Sequence, residues 1–337
     1  MSISKEFEVG NLEKIDFVID WVDGSDPIWN EERKKYDINT GDNRSVRYRD
    51  WGTLKYWFRS VAINAPWVNK IHFVTYGHLP DWLDTNNPKI QIVKHDDYIP
   101  GNFLPTFNSN AIELVIHKIP NLAEHFVLFN DDFFINAPVK DTDFFSLTGI
   151  PRDSGILSPQ IPKENSITHI TTNNLEIINK YFSRTNVFKN LNKFLNLKYG
   201  KQNIKTVATL PWKILLGFHD LHIPISFRKQ TFEYVWQLES SSLKHTLVNK
   251  FRSNDDYNVW LFRYFQLLNG DFAPRKVSFG KYYDIANDNS EAIEDILSSI
   301  HDIVVLNDQE VENFEEVKLE LLNAFQVKYP KKSEFEK

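Results

Sequence analysis

The residues best suited to chemistry are Asn130, Asp131 and Asp132, which interrupt an apolar part of the chain. The run 126–129 precedes them and Phe133 follows. Short aromatic and β-branched runs of this kind are typical of a buried strand. Carboxylates beside so much apolar surface are costly unless something pairs them. Paired Asp oxygens suit Mg²⁺ or Mn²⁺, which usually also holds substrate phosphates. The alternative is an Asx-turn, in which these side chains bond to their own backbone at a strand end.

Two earlier sets of residues could bind a phosphorylated ligand. Asp23 and Gly24 follow an apolar run, where a glycine lets the backbone approach a nucleotide closely. Arg47 and Arg49 stand just before a helical pattern, where guanidinium groups can clamp phosphates. The alternatives are turn chemistry for Asp23 and Gly24 and solvated surface charge for the two arginines.

Composition limits the classes of protein that these residues can serve. The chain has 337 residues, 42% apolar and 25% charged, as soluble globular proteins do. Its net charge of −6, without a basic stripe, argues against nucleic acid. With no cysteine, any metal must be held by oxygen or imidazole. The N-terminus lacks the apolar core of a signal peptide, and no apolar stretch approaches the roughly 20 residues that span a bilayer.

An alternation of strands and helices predicts how the candidate residues are positioned. The strand candidates are 15–19, 70–75, 90–93 and 126–129. Helical spacing between them predicts a parallel sheet covered on both faces. Since the carboxyl ends of parallel strands meet on one rim, we expect that rim to carry Asp23, His95, Asp96, Asn108, Asp131 and Asp132.

Local patterns also predict helix caps. Asp50 precedes a helical pattern and is predicted to be its N-cap. Asn110 and Glu113 have the spacing of a capping box, which would explain Glu113 without a catalytic role. Asp20 fits a turn or cap residue after the first strand.

The C-terminal half is predicted to be mainly helical. Residues 173–199 are basic, which is most simply a solvated face, with an anionic acceptor or a membrane surface as the alternative. Helices over 209–269 are interrupted at 217–224, where His219 and His222 occur. Further helices are expected at 257–268 and 310–327, from their apolar spacing.

Several motifs, in order, resemble those of the Stealth family of hexose-1-phosphoryltransferases. This family includes bacterial capsular and exopolysaccharide phosphotransferases and the catalytic subunit of the lysosomal-enzyme N-acetylglucosamine-1-phosphotransferase. The matching segments are Trp21 to Pro27; Arg47-Tyr48-Arg49-Asp50; Arg59-Ser60; Ala65-Pro66-Trp67; Leu104 to Ser109; Ile112-Glu113; Phe129 to Asp132; His222-Ile223-Pro224; Arg252 to Asp256; and Tyr329-Pro330 to Phe335-Glu336.

The resemblance implies an α/β fold of the glycosyltransferase-A-like type, with a mostly parallel Rossmann-type sheet, helices on both faces and a helical C-terminal half completing the site. It implies transfer of hexose-1-phosphate or N-acetylhexosamine-1-phosphate from a UDP-sugar to an acceptor hydroxyl, with release of UMP. The implied catalytic residues are Asp132, His222 and Arg252, and Asp131 and Asp132 are the implied ligands of Mg²⁺ or Mn²⁺. The implied substrate-binding residues are Asp23, Gly24, Arg49, Asn108, Ser109, Asn130 and Asp256.

We therefore expect one catalytic domain, 1–337, with a nucleotide-sugar half at 12–137, a helical insertion at 138–208 and a closing half at 209–337. The expected partners are the UDP-sugar and an oligosaccharide or lipid-linked glycan. The expected location is the cytoplasm, with peripheral attachment at the inner face of the plasma membrane left open. The alternative functions are a glycosyltransferase that releases UDP and a non-catalytic protein that binds nucleotide-sugar or glycan.

Overall fold

A computed structural model describes residues 13–36, 48–164 and 166–337. Arg47, one of the two predicted phosphate clamps, lies outside these ranges. The strands are β1 Ile15–Trp21, β2 Ile71–Thr75, β3 Ile90–Lys94, β4 His125–Asn130, β5 Phe133–Ile135, β6 Arg152–Asp153, β7 Ile225–Arg228, β8 Ala273–Pro274, β9 Gly280–Asp284 and β10 Ile303–Asn307.

Helices connect these strands and follow most of the predicted apolar patterns. They are α1 Pro27–Tyr36, α2 Leu54–Asn64, α3 Ser109–Leu114, α4 Thr168–Tyr181, α5 Arg184–Lys189, α6 Leu191–Phe194, α7 Asn203–Thr209, α8 Lys229–Val248, α9 Trp260–Asn269, α10 Ser290–Ser298 and α11 Phe314–Lys328.

The central sheet has five strands in the order β3-β2-β1-β4-β7. The first four are parallel to one another, and β7 pairs with β4 in the antiparallel direction. In the register of β1 and β4, Asp20 lies opposite Asn130. The parallel arrangement therefore brings the end of the first strand beside the start of the acidic segment.

Both faces of this sheet are covered, because strand side chains alternate between two apolar cores. Phe17 and Ile19 of β1 belong to one core, which α2 and α11 cover, while Val18 belongs to the other. The prediction of an α/β fold with a mostly parallel sheet and helices on both faces is confirmed.

A second sheet has three strands, with β10 between β5 and β9. The chain leaves the central sheet at Asn130 and enters the second sheet at Phe133, so Asp131 and Asp132 occupy the turn between two sheets. The Leu306 N–H donates to the Asp132 carbonyl oxygen at 3.0 Å, which ties this turn to β10.

Two local predictions were wrong. Thr53, not Asp50, is the N-cap of α2, and Asp50 instead accepts a hydrogen bond from the Gly52 N–H at 2.7 Å. Asn108 is the N-cap of α3 and accepts from the Asn110 N–H at 3.0 Å, so Asn110 and Glu113 form no capping box. The C-terminal half is mainly helical as predicted, and it also contributes strands to both of these sheets.

Two motifs of the family-like pattern that are far apart in sequence, around Arg59 and around Glu336, contact each other in the fold. Arg59 of α2 donates to both carboxylate oxygens of Glu336, at 2.8 and 2.7 Å, and to the carbonyl of Tyr329. Phe335 is buried. These motif residues therefore hold the C-terminus against α2, and their contribution is structural.

Candidate functional site

A cleft of about 1690 Å³ opens at the carboxyl end of the parallel strands. Its walls come from the end of β1, the start of α2, the segments 219–223 and 252–254, β9, and the residues after β10. The volume exceeds the few hundred Å³ typical of a pocket for one small ligand. The cleft therefore has room for two substrates side by side.

Asn130, Asp131 and Asp132 form the floor of the cleft. They occupy the turn between β4 and β5, whose apolar residues are buried on either side. Asp131 is exposed to the cleft while protein surrounds its other sides, and Asp132 is half-buried. Two rigid strands thus hold a pair of carboxylates at a position that solvent and ligands can reach.

Four acidic side chains around this floor are held with too little positive charge to offset them. Burial raises the pKa of Asp132 to about 7 and that of Asp20 to about 6, with Arg252 opposing both shifts. Burial and the charge of Asp20 together raise the pKa of Glu113 to about 8, against the opposing charge of Arg252. Burial and the neighbouring charges of Asp132 and Asp20 also raise the pKa of Asp131 well above its usual value. We refer to Asp20, Glu113, Asp131 and Asp132 as the acidic floor.

The chemistry of the acidic floor fits a divalent cation. The buried Oδ1 atom of Asp132 has no hydrogen-bond donor among the described residues. Over the same part of the chain, no three His, Asp or Glu side chains are grouped as a metal site made by protein alone. A cation held by one or two carboxylates with water and phosphate oxygens is the mode that Mg²⁺ prefers. Asp131 and Asp132 are the two neighbouring carboxylates of the floor that could hold such a cation.

Arg252 faces the acidic floor from the segment that follows α8. Its guanidinium donates to the hydroxyl of Ser109, with an Nε to Oγ distance of 2.9 Å. A cation anchored on a neutral hydroxyl keeps its charge available to a ligand, whereas one paired with a carboxylate does not. Arg252 is therefore suited to neutralise a phosphate in the cleft.

A buried hub holds the Arg252 segment against α3. The carboxylate of Asp256, which has no exposed surface, accepts hydrogen bonds from the side chains of Asn108 (2.8 Å), Asn110 (3.0 Å) and Asn249 (2.8 Å). It also accepts the Ser253 N–H at 3.0 Å. With these contacts Asn108 and Asp256 position Arg252 and Ser109 from behind the cleft wall.

His222 lies in the opposite wall, in a backbone conformation that ordinary residues rarely adopt (φ 50°). Such conformations persist where surrounding structure enforces them, and they concentrate at functional sites. The imidazole makes edge contacts with the rings of Phe133, Tyr282 and Trp260, at 5.2 to 6.0 Å between centroids. Burial and the charge of Arg252 together lower the pKa of His222 to about 4. The ring is therefore neutral at pH 7, and it is a weak base unless a negative charge binds beside it and raises its pKa.

Comparisons with known proteins identify the family of this chain. Residues 13–41 match the Stealth protein conserved region 1, and residues 47–153 match conserved region 2. A capsular polysaccharide phosphotransferase, WcwK, of Streptococcus pneumoniae is 50% identical over 97% of this chain and 99% of its own length. The chain belongs to the Stealth family.

Two other members of the family are also similar in sequence to this chain over nearly its whole length. The exopolysaccharide phosphotransferase cps2G of Lactiplantibacillus plantarum is 43% identical over 96% of both chains. The receptor polysaccharide phosphotransferase WefC of Streptococcus oralis is 40% identical over 96% of this chain and 100% of its own. Among solved structures, the apo WbbM bifunctional glycosyltransferase covers 94% of this chain and 52% of its own at 10% identity and a TM-score of 0.37, a likeness too remote to support an argument.

Some predicted site residues of this Stealth protein lie away from the acidic floor. Arg49 lines the cleft, but its guanidinium is bound to Asp308 and to the carbonyl of Gln309 at 2.8 Å. Asp23 accepts from the Ser25 N–H (2.8 Å) and hydroxyl (2.6 Å) in a turn. A Cβ at Gly24 would lie 1.8 Å from the Tyr48 carbonyl oxygen, so the close backbone approach there is to the protein itself. Their roles in binding a nucleotide stay predictions.

Asp20 and Glu113 are site residues that the sequence alone does not predict. Its pattern predicts a turn or cap role for Asp20, yet Asp20 is the sixth residue of β1, and its charge raises the pKa values of Asp131 and Asp132. The pattern predicts a capping box for Glu113, yet Glu113 is buried beside Asp20 and Arg252. The available signal was the Ile112-Glu113 pair in the family-like pattern, which a cap would not require.

A smaller pocket of about 140 Å³ opens beside the acidic floor. Asn130, Asp131 and Arg252 line both this pocket and the large cleft. Its walls include the rings of Trp29 and Phe107, which make an edge contact at 5.5 Å. Burial lowers the pKa of His95, another wall residue, to about 4. The pocket therefore combines aromatic walls with the side chains of the charged centre, since Asp20, Glu113 and Arg252 also line it.

Across the described residues, the helices are all too short or too polar to cross a lipid bilayer.

Proposed function

We propose that this phosphotransferase of polysaccharide biosynthesis takes a sugar-1-phosphate from a UDP-sugar and joins it to a hydroxyl of a glycan acceptor. The products are a sugar–phosphate–sugar diester and UMP. The observation that carries the proposal is the acidic floor facing Arg252, because a diphosphate with a divalent cation supplies the charges that both sides lack. Phosphoryl transfer depends mainly on such positioning and charge neutralisation.

The donor would lie with its diphosphate between Arg252 and the acidic floor. Asp131 and Asp132 would hold Mg²⁺ or Mn²⁺, which when bound neutralises phosphate charge that develops during transfer. The smaller pocket would take the base, since the rings of Trp29 and Phe107 give it flat apolar walls. The remaining cleft, on the side of His222 and β9, is left for the sugar and the acceptor.

The step that follows moves a phosphoryl group and not a bare sugar. The acceptor hydroxyl oxygen attacks the phosphorus that carries the sugar and forms a new P–O bond. The bond between that phosphorus and the bridging oxygen breaks, and the bridging oxygen keeps the electron pair and leaves with UMP. Arg252 stabilises the negative charge on the phosphoryl oxygens.

His222 is the better candidate to accept the hydroxyl proton. It is neutral at pH 7, and the negative charge of a phosphate bound beside it would raise its lowered pKa, whereas Asp132 would be engaged as a cation ligand. If so, His222→Gln should lower kcat without changing the concentration of Mg²⁺ that gives half-maximal activity. Asp132→Asn should change that concentration. The reverse pattern would assign the proton to Asp132.

Phosphorus NMR tests the reaction itself. The protein is incubated with UDP-N-acetylglucosamine or UDP-galactose, Mg²⁺ and a panel of oligosaccharide acceptors. We expect UMP and a new phosphodiester resonance, lost in Arg252→Gln and kept in Arg228→Gln, whose arginine pairs with Asp271 outside the cleft. Release of UDP with a new glycosidic bond would identify a conventional glycosyltransferase and contradict the proposal. Binding of the donor without turnover across the panel would favour a non-catalytic protein.

A further inference from the structure

One segment of the chain is strongly basic although the protein as a whole is acidic. The net charge is −6, yet residues 189–213 contain six lysines and no Asp or Glu. The lysines are Lys189, Lys193, Lys198, Lys201, Lys205 and Lys213. None of them forms an ion pair with an acidic residue of the described chain. Lys193 and Lys198 donate to the carbonyl oxygens of Gly270 and Pro274, which are neutral, so these contacts leave the positive charge of the segment without an acidic counterpart.

Helix α7, in the middle of this segment, has its polarity reversed. Ile204 and Val207 are 72% and 53% exposed, whereas Thr206 and Thr209 are buried. The Thr206 hydroxyl accepts the Leu157 N–H at 3.0 Å, and the Thr209 hydroxyl donates to the Thr206 carbonyl at 2.8 Å. Since a helix on a water-facing surface normally buries its apolar residues, α7 is built to present an apolar face outward.

Further apolar residues extend this face on both sides of α7. Leu197 is 97% exposed, and two hydrogen bonds between Asn196 and Asn203, at 3.1 and 2.8 Å, hold it beside the helix. After the helix, Trp212 is 51% exposed, and Ile214 is also exposed. We call Leu197, Ile204, Val207, Trp212 and Ile214, with the six lysines, the basic apolar surface.

Hydrogen bonds hold the exposed turn after α7 in place. The Arg184 side chain donates to the carbonyls of Leu210 and Pro211, both at 2.9 Å, and the Arg184 N–H donates to the Lys213 carbonyl at 3.2 Å. The exposure of Trp212 is thus a property of a fixed turn. Clustered exposed apolar side chains mark an interaction site, since isolated ones are common but patches are not.

We propose that the basic apolar surface docks the protein onto an anionic lipid membrane. Lysines around an apolar face with a Trp at its edge are the chemistry of helices that lie in the bilayer interface. A nucleic acid would match the lysines but not the exposed Ile204 and Val207. Lys201 also lines the mouth of the cleft, so docking would bring the cleft to the level of the lipid headgroups.

The benefit of membrane docking rests on the proposed function. A glycan acceptor carried on a lipid is concentrated at the membrane surface, and a docked enzyme meets it there. The docking itself needs no catalysis, so the two proposals can be tested separately.

Co-sedimentation with vesicles tests the docking. We expect the full chain to bind vesicles of phosphatidylglycerol and phosphatidylcholine, and to bind phosphatidylcholine alone at least tenfold more weakly. Salt should weaken binding, because it screens the lysines. Equal binding to both kinds of vesicle, or to neither, would overturn the proposal.

Variants locate the binding surface. The triple variant Ile204→Ser, Val207→Ser, Trp212→Ser should lose at least tenfold in vesicle binding. Lys198→Gln with Lys213→Gln should lose roughly tenfold, at a few-fold for each lysine near an anionic surface. Leu319→Ser is the matched control: Leu319 is 59% exposed on α11, among Glu315, Glu316 and Glu320, and its replacement should leave binding unchanged.

Activity and mass measurements separate the remaining outcomes. With a water-soluble acceptor and no vesicles, all these variants should release UMP at the wild-type rate, so a loss of docking is distinct from a failure of the transfer proposal. If light scattering instead shows that the triple variant converts a wild-type oligomer to a monomer, the surface is an interface between copies of this chain, and the membrane proposal is wrong.

Discussion

Two clusters of charged side chains in this protein differ in how their charges are matched. In the first, Arg263 binds Asp153 with two hydrogen bonds, at 2.7 and 2.9 Å, and also pairs with Asp220. Asp220 accepts the Tyr264 hydroxyl at 2.7 Å, and Arg275 adds a second cation. Burial alone would lower the pKa of Arg263, but Asp153 and Asp220 raise it above its usual value. Burial still raises the pKa of Asp220 to about 6, although Arg263 and the Tyr264 hydroxyl oppose that shift. We call this the paired cluster.

The acidic floor has the opposite composition. Four carboxylates face one arginine, which is anchored on Ser109 and not on any of them. Their pKa values are raised, which means that the fold holds them at a cost in free energy. Carboxylates with raised pKa values are concentrated at functional sites, where binding of a ligand can offset this cost in free energy.

The paired cluster nevertheless serves the acidic floor. Asp220 lies two residues before His222, and its bonds to Arg263 and Tyr264 fix the segment that carries the imidazole. Matched charges therefore hold the structure around the site, and unmatched charges form the site. The predictions below test that division.

Asp132→Asn should have the largest effect, and only on activity. Losing a cation ligand should lower kcat by roughly 10³-fold, or about 4 kcal/mol in the barrier. The same change removes a negative charge from a crowded site, so the melting temperature should be unchanged or higher. UMP release and calorimetry on the same sample measure both. An unstable but active variant would mean that Asp132 belongs to the structural framework.

Asp153→Asn should show the reverse. Removing one partner of a buried ion pair leaves Arg263 without its charge complement and should cost about 3–5 kcal/mol of unfolding free energy. Denaturant titration measures this. The control is Asp271→Asn, which breaks the pair between Arg228 and the exposed carboxylate of Asp271 and should cost at most about 1 kcal/mol. Equal costs at the two positions would remove the distinction between the clusters.

The sequence predicted the parts of this division that depend on local pattern. β1 to β4 are apolar runs bounded by turn residues, so their existence and parallel order followed from the spacing of strands and helices. The same logic brought Asn130, Asp131 and Asp132 to the rim. Both features could be predicted without knowing any particular contact between distant segments.

The parts that were missed depend on long-range pairing. β7 and β9, with the sequences Ile-Ser-Phe-Arg and Gly-Lys-Tyr-Tyr-Asp, are short and half polar, and they become strands because β4 and β10 lie beside them. Glu113 has a local pattern that fits a cap, and only the fold shows that Asp20 and Arg252 surround it.

Adding Mn²⁺ or Mg²⁺ should stabilise the protein if the acidic floor holds a cation. At a hundredfold excess over Kd the gain is about 2.7 kcal/mol, measurable as a rise in the denaturant midpoint. The gain should disappear in Asp132→Asn and persist in Asp271→Asn. An equal gain in both variants would place the cation elsewhere.

Glu113→Gln should change how stability depends on pH in the cation-free protein. Burial raises the pKa of Glu113 to about 8, above its unfolded value near 4.5. The folded state therefore binds a proton that the unfolded state has lost, and this stability declines as pH rises from about 5 to 8, by at most about 1.4 kcal/mol per pH unit. The glutamine of the variant does not titrate, so this difference in proton binding disappears. The unfolding free energy of the variant should therefore fall less steeply over that range.

Glu239→Gln is the matched control, since Glu239 and Glu113 are both 8% exposed. Burial alone would raise the pKa of Glu239, but its hydrogen bonds to Ser242, Tyr181 and Lys180 lower it. Its stabilising effect is complete above pH 5 and is lost only in acid. Glu239→Gln should therefore lower the unfolding free energy by a similar amount at every pH from 5 to 8, leaving the slope unchanged. If the two variants gave the same slope, Glu113 would be matched in charge as Glu239 is, and the acidic floor would lose one of its four members.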